Sequence, residues 1–298
     1  IFLSGGLDSS LITSLYIKKL KDKFEDVQIF TSENFHKDLP FVEKLSKELN
    51  FNYTELKIGY NENIFEYIDD IISTSYLPCP TYGNAIGMYS MFKKMSEYNR
   101  GIVITGAGGD QVFAGLSWTL HAAKEYFKKN NYYQVFNHIF RSNFFEQELS
   151  KTLIQLIMNN FNLSQFFSRK NLKKFPIHRR WAENDKIRTM FDQQIYDIKM
   201  GDFATSNNLI DFISMNNSIA IRSPFMDIRF LKAINSDITH KYKDGYDRIE
   251  IRKLLRKYES NIHKRKSKQG LRWNEEKMLE KNSNRIIDEI KSSIFYEK

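Results

Sequence analysis

Short apolar runs alternate with apolar stripes at helical spacing through the first third of the chain. Ile1-Phe2-Leu3 precedes a glycine-rich turn, after which Leu11, Ile12, Leu15 and Tyr16 recur at helical spacing. Val27–Thr31 reads as a second strand, and Phe41, Leu45 and Leu49 form a helix stripe at four-residue steps. Phe51–Ile58 reads as a third strand with Thr54, Leu56 and Ile58 on one face. A helix is expected over Ile64–Ile72, followed by a break at Pro78-Cys79-Pro80. Tyr89, Phe92 and Met95 then mark a helix leading into the strand Gly101–Ile104. Strands and helices at this rhythm predict the α/β class with a doubly wound parallel sheet, whose ligands bind at the carboxyl ends of its strands.

Beyond about residue 118 the strand signal stops. Segments 118–140, 144–168 and 184–221 read as helices rich in Phe, Tyr, Asn and Lys, and Pro176 marks a loop between two of them. Their aromatic stripes are expected to be core. No fixed-period repeat or long linker divides the chain. The expected organisation is one continuous unit, with an α/β nucleotide-binding core over 1–118 and a mainly helical half over 119–298.

Composition narrows the setting. The 298 residues are 41% hydrophobic and 27% charged, as in a soluble globular protein. No apolar stretch of about 18 residues exists, so a membrane span is not expected. Cys79 is the only cysteine, which excludes an internal disulfide and favours a reducing, cytoplasmic compartment. The six histidines show no metal-ligand spacing. Lys+Arg 45 against Asp+Glu 36 gives +9, which suits polyanionic ligands. Much of that charge lies in Lys- and Arg-rich helices and is read as a solvated face, so neither nucleic acid nor membrane is the expected partner. Residue 1 is not an initiator, and residue 4 already opens the glycine turn. A strand normally takes about five or six residues, so the chain is expected to be cut at its N-terminus.

The chemistry gathers in four segments. Residues 4–10 read Ser-Gly-Gly-Leu-Asp-Ser-Ser, between a strand and a helix. Gly5 and Gly6 lack Cβ, so the backbone turns tightly and approaches a ligand closely. The first-turn N–H groups of the next helix, together with its dipole, favour an anion there. Ser4, Ser9 and Ser10 add hydroxyls, and Asp8 adds a carboxylate suited to Mg²⁺. No Gly-Lys-Ser/Thr ending follows, so this is not a Walker loop. The whole segment resembles the PP-loop of ATP pyrophosphatases, which cleave ATP between the α and β phosphates.

Residues 105–111, Thr-Gly-Ala-Gly-Gly-Asp-Gln, place a second glycine-rich turn and Asp110 after the strand ending at Ile104. Two carboxylates facing one cleft suit Mg²⁺ bridging the β and γ phosphates of ATP; alone, the segment also reads as a tight turn before a helix. In residues 211–227, Ser223-Pro224 is expected to end a helix, with Arg222 and Asp227 flanking the exit, as a site or as a structural ion pair. Residues 265–271, Arg-Lys-Ser-Lys-Gln-Gly-Leu, form a basic loop that reads as a common surface loop or as a mobile positive charge for developing oxyanions.

In order, these segments resemble the C-terminal synthetase domain of the asparagine synthetase family over nearly the full length. Residues 4–10 are similar to that family's PP-loop almost letter for letter, and Thr105–Gln111 resembles its Ser-Gly-Glu-Gly-x-Asp-Glu motif. Asp211–Asp227 resembles Asp-Arg-x-Ser-Met-x-x-x-x-Glu-x-Arg-x-Pro-Phe-Leu-Asp, and Arg265–Leu271 resembles Arg-x-x-Lys-x-Gly-Phe. The resemblance implies a PP-loop, adenine nucleotide alpha-hydrolase-like fold and an ATP-dependent amide-forming reaction. A carboxylate attacks the α phosphate to give an acyl adenylate and pyrophosphate, and ammonia or an amine then displaces AMP. It implies ATP and Mg²⁺ as cofactors. ATP and pyrophosphate contacts fall on Ser4, Gly5, Gly6, Leu7, Asp8, Ser9, Ser10, Gly106 and Arg222. Metal ligation falls on Asp8 and Asp110, and the catalytic lysine is Lys268.

Two departures bear on the acceptor. Ala107 stands where the family carries glutamate, or tyrosine in β-lactam synthetases, and Ala220 stands at the later motif's glutamate. Alanine accepts no proton, so neither position supplies a general base. Asparagine synthesis from glutamine would call for an upstream glutaminase domain with an N-terminal cysteine. A peptide macrolactam cyclase of the lasso type, or a β-lactam-synthetase-like tailoring enzyme, would instead act on a small-molecule or peptide carboxylate such as a precursor peptide. A non-catalytic ATP-binding scaffold is the alternative of another class. A tRNA-modifying PP-loop enzyme fits the charge but not segments 211–227 and 265–271.

Overall fold

The computed structural model describes residues 1–35, 37–58, 64–75, 85–115, 119–141, 190–232, 237–258, 260–265 and 275–292. The expected break at Pro78-Cys79-Pro80, the helix over 144–168, the loop at Pro176 and Lys268 lie outside them. In chain order the main elements are α1 (Leu7–Leu15), β1 (Phe30–Ser32), α2 (Leu39–Leu49), β2 (Thr54–Leu56), α3 (Ile64–Ser75), α4 (Ala85–Ser96) and β3 (Ile102–Ile104). There follow α5 (Gly109–Phe113), α6 (Thr119–Lys128), α7 (Tyr132–Arg141), α8 (Met190–Lys199), α9 (Asp202–Asn216), β4 (Ala220–Arg222), α10 (Ile228–Lys232), α11 (Ile249–Lys257) and α12 (Glu275–Ser292).

Local sequence accounts for several boundaries. Gly6 precedes α1 in an extended conformation, and Asp8 sits in the first turn, where the helix dipole favours a carboxylate. Pro40 occupies the first turn of α2, where its missing N–H costs nothing, and Asn50 ends that helix in the left-handed region. The segment expected as one helix over 118–140 is two, because Asn130 adopts φ 56° between α6 and α7.

β1 pairs in parallel with β2 (Phe30 opposite Thr54), and β3 pairs in parallel with β4 (Ile102 opposite Ala220). The segment Ile1–Leu3 runs between these pairs. Leu3 N–H donates to the Phe30 carbonyl at 2.7 Å and Phe30 N–H to the Ile1 carbonyl at 2.8 Å. Phe2 N–H points the other way and donates to the Ile104 carbonyl at 2.9 Å. The described strands thus form two two-stranded parallel sheets rather than one continuous ladder. Each strand is three residues long, and one bond from Phe2 is too little pairing to merge them.

β4 corrects the reading of 184–221 as helix throughout. The helical part is split at Gly201 into α8 and α9 and ends at Asn216; Ser218 then turns with φ 57° and the chain extends alongside β3. Three residues are too few for a period of two to declare itself in sequence. The later half therefore supplies a strand beside the first half's last one.

The core lies in two clusters. One joins α3, α4 and α9 to the strands through Ile71, Tyr89, Met91, Phe92, Met95, Val103, Leu209 and Ile213. The other joins α1, α2 and α11 to residues 1–3 through Leu3, Leu7, Leu11, Val42, Leu45, Ile251 and Leu255. Phe41, expected in the α2 stripe, packs only at the margin, and Val42 takes the inward position. No described helix is long and apolar enough to cross a membrane.

Candidate active site

Two glycine-bearing turns leave the carboxyl ends of neighbouring chain segments. After Leu3, Gly5 adopts φ +72°, a conformation that side chains strain to reach, and α1 begins two residues later. Ser9 Oγ ties the turn together: it accepts from Ser4 N–H at 3.2 Å and lies 3.0 Å from Ser4 Oγ. After Ile104, Thr105 N–H donates to the Arg222 carbonyl at 2.9 Å, and Thr105 Oγ1 lies 3.2 Å from Ser223 Oγ. The turns touch. A Cβ on Gly106 would lie 2.7 Å from the Ser9 backbone nitrogen, and one on Gly109 would run into the Asp8 carboxylate.

The two expected metal-binding carboxylates converge. Asp8 Oδ2 and Asp110 Oδ1 accept from the same nitrogen, Arg248 Nη1, at 2.8 and 2.5 Å. Arg248 stands at the start of α11 with φ 48°, a left-handed conformation that a bulky side chain adopts only under constraint. The constraint is ionic: its Nε donates to Asp247 Oδ2 at 2.8 Å. Burial alone would lower the pKa of this guanidinium, but Asp110, Asp8 and Asp247 together raise it well above the ordinary arginine value.

The ion pairs continue behind Arg248. Arg252 bonds to Asp247 and donates from Nη1 to the carbonyls of His263 and Arg265, each at 2.6 Å. Arg265 in turn donates to the Gly5 carbonyl and to Asp38, with its guanidinium 3.9 Å from the centre of the Phe41 ring. A chain of charge, buried from Arg248 inward, therefore runs from the partly exposed Asp110 to the turn at Gly5. These arginines contradict the reading of the basic helices as solvated faces only. Their signal was present: Arg248, Ile251, Arg252 and Leu255 recur at i, i+3, i+4 and i+7, the spacing of a buried helix face.

A cavity of about 340 Å³ opens on this site, within the usual range of ligand pockets. Ser4, Asp8, Ser9, Gly106, Ala107 and Asp110 line its polar edge. Met88, Met91 and Met95 of α4 and Phe203 and Ile210 of α9 line its apolar side. Gly5, Gly6 and Leu7 form the turn and helix start beneath that edge.

Other expected residues fall elsewhere. The Ser10 side chain is fully buried and does not line the cavity, because α1 turns it inward. Arg222 is exposed, and its guanidinium folds onto the Ile221 carbonyl. Its strand position offers its carbonyl, not its charge, to the Thr105 turn. Ala220 lies in β4 opposite Ile102, whereas its neighbour Ile221 reaches the cavity. The expected ion pair around residue 224 is real but differently made: Asp227 binds Arg229, at 2.7 Å, rather than Arg222. The hydrogen bonds from Arg229 hold its carboxyl down at about 2.

The profile of the family described as asparagine synthase matches residues 1–295. The chain belongs to the asparagine synthase family. A search of curated proteins finds no match. As a member of the asparagine synthase family, the chain has the PP-loop superfamily fold in α/β form, and its family activity is that of an ATP-using ligase that forms amides.

Mg²⁺ is the metal expected at these carboxylates. Asp8 and Asp110 present hard oxygen donors to one cation-binding point. Among the described residues no group of three or more His, Cys, Asp or Glu gathers for a metal. Mg²⁺ characteristically takes one or two carboxylates and completes its shell with water and substrate phosphates, so the pair fits.

Proposed function

We propose that the chain adenylates a substrate carboxylate with ATP, releases pyrophosphate, and forms an amide by attack of an amine or ammonia with release of AMP. The observation that carries this reading is the convergence of Asp8 and Asp110, from two glycine-bearing turns, on one point at the mouth of a cavity. The strand order β2, β1, residues 1–3, β3, β4, with helices contributing to two separate core clusters, supports a doubly wound arrangement. In that arrangement the two turns flank the point where strand order reverses.

The chain's own residues supply positioning and charge. The first-turn amides of α1 face the β and γ phosphates, and Asp8 and Asp110 would hold Mg²⁺. Bound there, the metal neutralises phosphate charge and makes pyrophosphate a better leaving group. The substrate carboxylate oxygen bonds to the α phosphorus as the bond to the β-phosphate bridge breaks. The amine lone pair then attacks the acyl carbon, AMP departs, and the amine loses a proton. Ala107, on the cavity edge, cannot receive it. Lys268 is assigned to the charged transition states. Arg265 is anchored at Gly5, and three further residues reach at most about 11 Å, which supports placing Lys268 near the phosphates.

The cavity favours a tailoring reaction over asparagine formation. Among its described lining residues the only ionisable side chains are Asp8 and Asp110. Free aspartate needs a partner for its α-carboxylate as well as its ammonium group. A peptide or other acid with an uncharged, apolar body suits Met88, Met91, Met95, Phe203 and Ile210 better. The test is incubation with Mg-ATP and either aspartate plus ammonia or a panel of peptide carboxylates, with AMP and amide products followed by mass spectrometry. AMP with asparagine would refute the tailoring reading. ATP binding without AMP from any acid would favour a scaffold instead.

A further inference from the structure

Arg248 occupies the point at which the site's two carboxylates meet, and it is buried there, with a side chain only 3% exposed. Its Nη1 uses Asp8 Oδ2 and Asp110 Oδ1, while Asp247 holds Nε from behind. We infer that Arg248 is the resident cation of the nucleotide-free site, and that it transfers to the nucleotide's phosphates when a divalent metal takes over the two carboxylates. This inference rests on the reading of the site as one for Mg-ATP.

The argument is one of space and charge. A divalent ion about 2.1 Å from the same carboxylate oxygens would lie less than ~5 Å from Nη1. Two like charges at that separation, one of them on a guanidinium buried away from water, repel each other. Metal alone must therefore drive a buried guanidinium away from two of its three carboxylates and offers it nothing in return. A polyphosphate changes the balance, because guanidinium and phosphate form paired, charge-assisted hydrogen bonds. Asp247 keeps the side chain tethered during the exchange, and Arg252 holds Asp247 in place. Metal and nucleotide binding are then positively coupled, each raising the affinity of the site for the other.

The experiment measures Mn²⁺ affinity by calorimetry for the full chain, with and without α,β-methylene-ATP, in the parent protein, Arg248→Met and Arg248→Lys. The parent is expected to bind Mn²⁺ alone at least tenfold more weakly than in the presence of the analogue. Arg248→Met is expected to bind Mn²⁺ alone at least tenfold more tightly than the parent, and to lose most of the coupling to nucleotide. Arg248→Lys, which keeps the charge, should stay close to the parent for Mn²⁺ alone. Equal Mn²⁺ affinity with and without analogue in the parent would overturn the inference, and that comparison stands even if a variant does not fold. Unchanged Mn²⁺ affinity in Arg248→Met would overturn it as well. If the analogue binds no form of the protein, the ATP reading fails, while a gain of Mn²⁺ binding in Arg248→Met would still identify Arg248 as the resident cation.

Discussion

The guanidinium of Arg265 donates to the carbonyl oxygen of Gly5, 260 positions earlier in the chain. The same side chain pairs with Asp38, whose carboxylate is almost wholly buried. The left-handed turn that opens the candidate site is thus held by a residue of the basic segment far along the sequence.

Replacing Arg265 by methionine removes both contacts and takes from the buried Asp38 carboxylate its paired guanidinium. The expected loss is roughly 3–5 kcal/mol of stability, the range for breaking one partner of a buried pair. Arg265→Lys keeps the charge but not the two-pronged geometry, so it should recover only part of that loss. Urea unfolding of the three proteins measures the difference. Parent-like stability in Arg265→Met would show that the pair contributes nothing.

Gly106→Ala puts a methyl group 2.7 Å from the Ser9 backbone nitrogen, with Asp8 on its other side. A backbone wall cannot swing aside as a flexible side chain does, so the two turns must separate. Overpacking of this kind costs about 1–3 kcal/mol. Binding of an ATP analogue should weaken at least tenfold, and unchanged affinity would mean that the turns are free to move apart.

Asp8→Ala and Lys268→Ala should differ in kind. Asp8→Ala removes one of the two carboxylates that meet at Arg248 and is expected to weaken Mg-ATP binding. Lys268→Ala should leave nucleotide binding largely intact and abolish AMP release. Equilibrium binding and product analysis on both variants separate the two effects. Normal AMP release from Lys268→Ala would remove that lysine from the chemistry.

Lys241 makes stability depend on pH above neutrality. Burial lowers its pKa from 10.5 to about 8, and its ammonium donates to Gln194 Oε1. Gln194 donates in turn to the carbonyls of Gln111 and Val112, at 2.6 and 3.1 Å, at the base of the helix that bears Asp110. Between about pH 8 and 10.5 the unfolded chain holds a proton here that the folded chain has lost, so stability should rise with pH. A shift of this size corresponds to about 3 kcal/mol over the whole window. Lys241→Met should flatten that rise relative to the parent in urea titrations at pH 7.5 and 10. Parallel pH profiles for the two proteins would count against a buried, neutralised lysine.

The two turns were legible because their parts are local. The turns at Ser4–Ser10 and Thr105–Gln111 each announce themselves by glycines between a strand and a helix, and the structure brings their carboxylates to one point. The stripe Tyr89, Phe92 and Met95 likewise became a buried face of α4. The arginine chain was not legible in the same way. Whether a guanidinium in a basic helix meets water or a carboxylate depends on what packs against it, and Asp8 lies 240 positions from Arg248. Arg222 erred in the opposite direction: its segment was recognised, but the strand β4 sends the side chain outward. A three-residue strand after a long helix leaves too short a pattern to reveal that turn.

The reach of the chain from Gly5 to Arg265 also sets an order of events during synthesis. The turn at Gly5 is made before its cationic neighbours, for Arg248 follows Asp8 by 240 positions and Arg265 follows Gly5 by 260. At typical elongation rates of about 5–20 residues per second, that interval is on the order of tens of seconds. Contacts so distant in sequence also close slowly. The nascent chain therefore carries a glycine-rich turn and two acidic side chains before the guanidinium groups of Arg248 and Arg265 have been made. Nucleotide affinity should be acquired late and abruptly, once the segment bearing Arg248 and Arg265 has been made, rather than with the two glycine-bearing turns alone.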